Sequence, residues 1–176
     1  MDQKKLEFLV TELWILAWGA SVQRANLYKK GSDKSKTDSF RKKIIDYLKS
    51  EVLPKYKNQI TEDHHYKNIE DLIKFANENN NGFLSEDGYR YGVAQKLLNL
   101  VLKYHWCLGL IKEPPHCPVD RVVINKTKYK GNINWTHIKQ KSEYEKVIEN
   151  IKRLAENNNI SVPLWELKEF SRRNDA

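Results

Sequence analysis

Hydrophobic side chains recur at helical spacing along most of the chain. The first such run predicts a helix from Gln3 to about Tyr28, with one apolar face turned towards a core. That face comprises Leu9, Val10, Leu13, Trp14, Leu16, Ala17 and Ala20. The polar stretch KKGSDKSK at residues 29–36 predicts a loop. A second helix is expected to start near Thr37, Asp38 or Ser39 and to end or kink at Pro54.

The next two runs predict helices of different character. Thr61 is a competent N-cap for a third helix, which the NENNNG segment at residues 77–82 ends. A fourth helix, from about Tyr91 to Leu108, is apolar on most sides. Because such a helix has little surface to offer to water, we expect it in the middle of the fold.

Proline and capping signals organise the rest of the chain. Pro114, Pro115 and Pro118 exclude a helix through their span, and Val122–Ile124 reads as a short strand or a first helical turn. A capping box, Ser142 with Glu145, predicts a fifth helix. Pro163 suits the first turn of a last helix, which covers residues 164–172. The sequence therefore predicts a mainly α, single compact domain over residues 1–176. It has about six helices and at most a minor short strand pair.

The most apolar stretch, Leu6–Ala20, does not read as a membrane span. Glu7 and Glu12 interrupt it, and it is shorter than the roughly 20 apolar residues that cross a bilayer. Asp2 and Glu7 flank it, which is unlike a secretory signal. We therefore expect a cytoplasmic protein with reduced cysteines and no membrane partner.

Charge is concentrated in two segments. The chain of 176 residues carries a formal net charge of +8. Residues 24–57 hold 11 basic and 4 acidic side chains, a net charge of +7, and residues 121–141 hold 6 basic side chains and no acidic one. Two basic segments beside a near-neutral core suit a phosphate-binding surface, so a nucleic-acid partner is expected. A solvated lysine face is the alternative.

The residues expected to contact nucleic acid come from both segments and from the start of the fourth helix. They are Lys42, Lys43, Tyr91, Gly92, Arg121, Lys126, Lys128, Lys130 and Trp135. Aromatic side chains within a basic segment can stack on bases, which is the role expected of Trp135.

Lys96 is the candidate with the most distinctive setting. With Gly92, Asn99 and Lys103 it forms the polar stripe of the fourth helix. Its amine therefore lies at the edge of a buried surface, where loss of hydration can lower its pKa and make it a nucleophile. Asp120 follows the Pro-rich turn, where a carboxylate can be an N-cap, a charge partner or a catalytic acid.

Two short blocks within residues 91–124 resemble a known family. GVAQKLLN, beginning at Gly92, and CPVD, ending at Asp120, are similar to motifs of the helix-hairpin-helix DNA glycosylases. The resemblance implies that Lys96 attacks the sugar C1′ of DNA, forming a Schiff base as a damaged base leaves, while Asp120 stabilises the developing positive charge. It also implies a hairpin at Tyr91–Ala94 whose backbone N–H groups hold a DNA phosphate.

Other interpretations stay open. Lys96 can instead be a solvated helix lysine and Asp120 a structural cap or ion-pair partner. The protein can be a non-enzymatic nucleic-acid-binding module or a helical protein-interaction domain. The four side chains His105, Cys107, His116 and Cys117 suggest zinc, but their spacing is poor for a shared ion. No metal or other cofactor is expected, and no Walker, Rossmann or G-x-S-x-G motif is present.

Overall fold

The computed structural model describes residues 2–170, and helices account for its regular structure. Within that range there are seven α-helices: α1 (Gln3–Ser21), α2 (Lys34–Tyr47), α3 (Glu62–Glu78), α4 (Tyr91–Cys107), α5 (Arg121–Ile124), α6 (Lys141–Glu156) and α7 (Val162–Glu169). Among these residues the β-structure is one isolated antiparallel bridge, Tyr28 with Leu84. The mainly α, single-domain prediction is confirmed, and Val122–Ile124 is helical.

Helix α4 is the centre of the fold, as its composition predicts. Every residue from Tyr91 to Leu102 is buried. The helix packs against α1, α3 and α6, and against a 3₁₀ turn at Trp135–His137. Because α4 is enclosed on all these sides, each of its polar side chains either contacts other protein groups or lies in a cleft.

Helix α1 is shorter than predicted and buries a different face. Ser21 is its last residue, and a 3₁₀ turn leads to Asn26, whose left-handed φ of 50° turns the chain. Trp14, Ala17, Trp18 and Ser21 face the core. Four apolar side chains are exposed instead: Phe8, Leu9, Ile15 and Leu16. The predicted buried face was therefore wrong for Leu9 and Leu16.

Three further helix ends differ from the sequence prediction. Helix α2 begins at Lys34, because the Asp33 side chain accepts a hydrogen bond from the N–H of Ser35. The capping box of α6 is formed by Gln140 and Glu143, two residues earlier in the chain than the predicted box of Ser142 and Glu145. Helix α7 ends at Glu169, and the predicted extension to residue 172 runs beyond the described residues.

Two predicted termini are confirmed. The Thr61 hydroxyl caps α3 by accepting from the N–H of His64. Helix α2 passes into a π-turn and then a 3₁₀ turn that contains Pro54. No helix among residues 2–170 is long and apolar enough to cross a membrane.

Candidate active site

Lys96 and Asp120 meet at the surface of α4. The Lys96 Nζ lies 3.6 Å from Asp120 Oδ2, and the Lys96 side chain is only 3% exposed. The two residues come from α4 and from the N-cap of α5. The two short sequence blocks are therefore neighbours in the fold.

The two oxygens of Asp120 have separate tasks. Oδ1 accepts a hydrogen bond from the N–H of Val123 at 3.1 Å and so caps α5. Oδ2 faces the Lys96 amine. The interpretations of Asp120 as an N-cap and as a charge partner are therefore both correct, and the cap fixes the direction of the second oxygen.

Trp135 forms the other side of the amine site. The Lys96 Nζ lies 3.9 Å from the centroid of the Trp135 ring. An ammonium above an indole face is attracted by the ring quadrupole. Trp135 is itself buried, so its ring packs within the protein rather than offering a face for an incoming base to stack on.

The environment shifts the protonation of Lys96. Burial lowers its pKa from 10.5 to about 8, since the ammonium loses hydration, and the Arg24 cation acts in the same direction. The Asp120 carboxylate opposes this change. With a pKa near 8, roughly one amine in ten is unprotonated at pH 7, against fewer than about one in a thousand for an ordinary lysine.

A surface cleft of about 550 Å³ opens beside the pair. Lys96, Leu100 and Asp120 lie on one side of it, and residues of α1 and the following turn lie on the other. The second group comprises Ile15, Leu16, Gly19, Ala20, Gln23 and Arg24. Of residues 114–120 only Asp120 lines the cleft, so the space lies between α4 and α1 rather than between α4 and the Pro-rich turn. Val122 and Phe170 complete the lining.

Sequence reasoning missed the cleft residues contributed by α1. Leu16 was assigned to the buried face and Ile15 was given no role, yet both side chains are about half exposed. Arg24 was counted only as the first residue of a basic segment. One feature of the sequence could have indicated this wall of the cleft: α1 has more apolar residues than a single buried face requires.

The start of α4 is engaged within the protein. Tyr91 and Gly92 are buried. The N–H of Gly92 donates to the carbonyl of Ile138, and the N–H groups of Val93 and Ala94 donate to that of Arg90. These three N–H groups are therefore not directed at solvent, where the predicted hairpin would hold a phosphate.

The predicted basic contacts are spread over the surface. The exposed members are Lys42, Lys43, Arg121, Lys126, Lys128 and Lys130. Lys43 donates to Asn79 at 3.3 Å, Lys126 pairs with Glu169 at 3.3 Å, and Lys128 lies over the Tyr129 ring. Arg121 directly follows Asp120, which brings it to the neighbourhood of the cleft.

A buried hydrogen-bond network, which was not predicted from the sequence, includes Asn99 of α4. His116 bonds Glu62 through Nε2 at 2.7 Å and the Tyr144 hydroxyl through Nδ1 at 3.0 Å. Asn99 donates to the same hydroxyl. The hydrogen bond from His116 is the main reason that the pKa of Glu62 falls to about 2, whereas burial lowers the pKa of His116 itself.

The two histidines considered for zinc are engaged in hydrogen bonds, and of the two cysteines Cys107 is exposed whereas Cys117 is buried. His105 contacts the carbonyl of Val101 through Nδ1 at 2.7 Å, and His116 is engaged as above. Within residues 2–170 no group of three or more His, Cys, Asp or Glu side chains is arranged to hold a metal ion.

Comparison with protein-family models, with curated proteins and with solved structures found no match to this chain. A function for this chain therefore has to be proposed from its site and from the sequence resemblance at residues 91–124.

Proposed function

We propose that Lys96 is an amine nucleophile that acts on the deoxyribose of damaged DNA, as in a DNA glycosylase with lyase activity. One observation carries the proposal: a buried lysine amine, its pKa lowered to about 8, lies 3.6 Å from a carboxylate at the edge of a cleft. Lowering an amine pKa towards neutrality by burial is a known way to prepare a Schiff-base lysine.

The chemistry assigns one task to each group. The unprotonated Lys96 amine forms a bond to C1′, and the base leaves with the electron pair of its bond to the sugar. The nitrogen then gives up a proton, and its lone pair forms a C=N bond as the sugar ring opens and O4′ takes up a proton. The resulting iminium is positively charged, so Asp120 and the face of Trp135 stabilise it.

Charge supports a nucleic-acid substrate over a small neutral one. Arg24, the first residue of the basic segment 24–57, lines the cleft, and the second basic segment begins directly after Asp120. A cation at the rim suits the phosphates that flank a reacting nucleotide. The choice of DNA rather than RNA as the proposed substrate rests on the sequence resemblance alone.

The test is borohydride trapping on DNA duplexes that carry an abasic site or one of a panel of damaged bases. Hydride reduction converts the C=N bond into a stable amine and leaves protein and DNA covalently joined. The intact protein is expected to give this adduct, and Lys96→Gln is expected to give none. Lys103→Gln is the matched control, because Lys103 lies on the same helix and pairs with Glu166.

Two results would contradict the proposal. An adduct that persists undiminished in Lys96→Gln would assign the amine elsewhere. A protein that traps no duplex, but binds DNA with an affinity that falls steeply with salt, would be a non-enzymatic binding module.

A protein-interaction role is the second candidate. It is favoured by the exposed apolar side chains on α1, among which Phe8 is 63% exposed and Ile15 is 49% exposed. The absence of both adduct and DNA binding at physiological salt would leave this candidate in place.

A further inference from the structure

One buried amide connects α4 to the segment that carries Asp120. Gln95 is fully buried and belongs to α4. Its Nε2 donates to the carbonyl of Val119 at 2.7 Å, and its Oε1 accepts from the N–H of the same residue at 3.1 Å. Both polar groups of Val119 are thus paired with a single side chain 24 residues earlier.

The amide of Gln95 is itself held in place. Its Nε2 also donates to the carbonyl of Gly92 at 2.9 Å, and Asn99 approaches Oε1 at 3.4 Å. All of these groups belong to buried residues. Hydrogen bonds in such surroundings are costly to leave unmade, so they define one arrangement of the segment.

The position of Asp120 follows from these bonds. Val119 directly precedes Asp120, and Asp120 Oδ1 is fixed by the N–H of Val123. The backbone on one side of Asp120 is therefore held by Gln95, and the side chain is held by the start of α5. Gln95 also neighbours Lys96 in α4, so one helical turn carries both the amine and the group that fixes its carboxylate partner.

We propose that Gln95 is a positioning residue, which holds the Val119–Asp120 segment on α4 so that Asp120 Oδ2 faces the Lys96 amine. Its importance for the reaction rests on the function proposed above. Its effect on the geometry of Lys96 and Asp120 does not depend on any substrate.

This role has a measurable electrostatic consequence. The Asp120 carboxylate raises the pKa of Lys96, whereas burial lowers it. When Gln95 is replaced by Met, which has a similar volume and lacks the amide, the segment loses its anchor and Asp120 moves away from the amine. The carboxylate then raises the pKa of Lys96 less, while burial still lowers it. The pKa of Lys96 therefore falls below its value in the intact protein.

The experiment is an NMR titration of the Lys96 ¹³Cε resonance, assigned by its loss in Lys96→Gln. We expect Gln95→Met to lower the pKa of Lys96 by at least half the change that Asp120→Asn produces. Asn68→Leu is the control, since it removes another buried amide, bonded to Tyr56 and Lys55 and not to Val119. It is expected to leave the pKa of Lys96 unchanged.

A Lys96 pKa in Gln95→Met equal to that of the intact protein would overturn the proposal. Should Gln95→Met fail to fold, Gln95→Asn serves in its place, because the shorter amide does not reach Val119 and the same fall is expected. Trapping on abasic DNA is measured in parallel and is expected to slow about 10- to 100-fold in Gln95→Met. A shifted pKa with no trapping by any protein would reject the proposed function and leave the positioning role standing.

Discussion

At the residue scale, Lys96 is subject to two opposing influences of different size. Loss of hydration destabilises its ammonium, and Asp120 stabilises it from 3.6 Å. The Asp120 side chain is 17% exposed, so solvent screens part of its attraction. The loss of hydration prevails, and a pKa change from 10.5 to about 8 corresponds to roughly 3 kcal/mol against the charged form.

This balance predicts the pH dependence of trapping. Only the unprotonated amine attacks carbon, so the trapping rate at saturating abasic DNA rises with pH while Lys96 loses its proton. We expect the rate to reach half its maximum near pH 8, the pKa of Lys96, and to level off about one pH unit higher. The measurement is the initial rate between about pH 6 and 10, corrected for the rate of Lys96→Gln. A rate that still rises steeply beyond pH 9 would show an ordinary lysine.

The two residues of the ion pair were easier to select from the sequence than the residues that surround them. Lys96 and Asp120 were identified because their motifs are short and local. Arg24 was not assigned to the site, and Trp135 was expected to stack on bases although its ring lies beneath the Lys96 amine. These contacts join residues far apart in the chain, and they depend on how helices pack rather than on any local pattern.

At the element scale, the start of α4 depends on a glycine for close packing. A Cβ atom at Gly92 would lie 1.8 Å from the carbonyl oxygen of Trp135, which belongs to backbone. The resemblance assigned Gly92 to a phosphate-binding hairpin, whereas in the fold its lack of a side chain lets the 3₁₀ turn at Trp135–His137 pack against α4. The same packing brings the Trp135 ring to Lys96.

A pair of glycine substitutions tests this packing. Gly92→Ala is expected to lower the free energy of unfolding by about 3 kcal/mol, because backbone must move to admit the methyl group. Gly19→Ala is the matched control, since its nearest contact is the flexible end of Gln23 at 3.3 Å. As a helix-interior substitution it is expected to raise stability by about 0.5–1 kcal/mol.

Urea unfolding of both variants gives the measurement. Equal stability of Gly92→Ala and the intact protein would contradict the packing account.

Helix identity was predictable, and helix ends were less so. The apolar pattern located the long helices, but Asp33 and Gln140 set the starts of α2 and α6, and Asn26 ends the 3₁₀ turn that follows α1. In the sequence, Asp33 has rival caps at residues 37–39, and Gln140 has the better cap type Ser142 nearby. Tertiary packing decides between such neighbours, so local signals alone do not fix the end.

At the scale of the whole molecule, the cleft takes a lining residue from the start of each basic segment, Arg24 from one and Val122 from the other. Arg24 begins the first segment, and Asp120 immediately precedes the second. The central placement of α4, confirmed by its burial, means that its polar side chains meet protein groups, and Lys96 is the member of its polar stripe that lines the cleft. The sequence predicted this central helix from composition, but it did not indicate that α1 would form the opposite wall.

The role of Arg24 is testable through the salt dependence of duplex binding. If Arg24 contacts a phosphate, Arg24→Gln weakens binding and reduces the slope of log K against log salt concentration by about 1. Lys74→Gln is the control, because Lys74 is an exposed lysine on α3 outside both basic segments. Fluorescence anisotropy over a salt series measures both quantities. Identical slopes for the two variants would remove Arg24 from the interface.

The central claim is that Lys96 supplies the reacting amine, and the most direct measurement is to locate the trapped adduct. The protein is reduced with borohydride on an abasic duplex, digested, and examined by peptide mass spectrometry. The account predicts a sugar-derived mass increase on the peptide that contains Lys96, and on that lysine. An adduct carried by another lysine or by the N-terminal amine would contradict it.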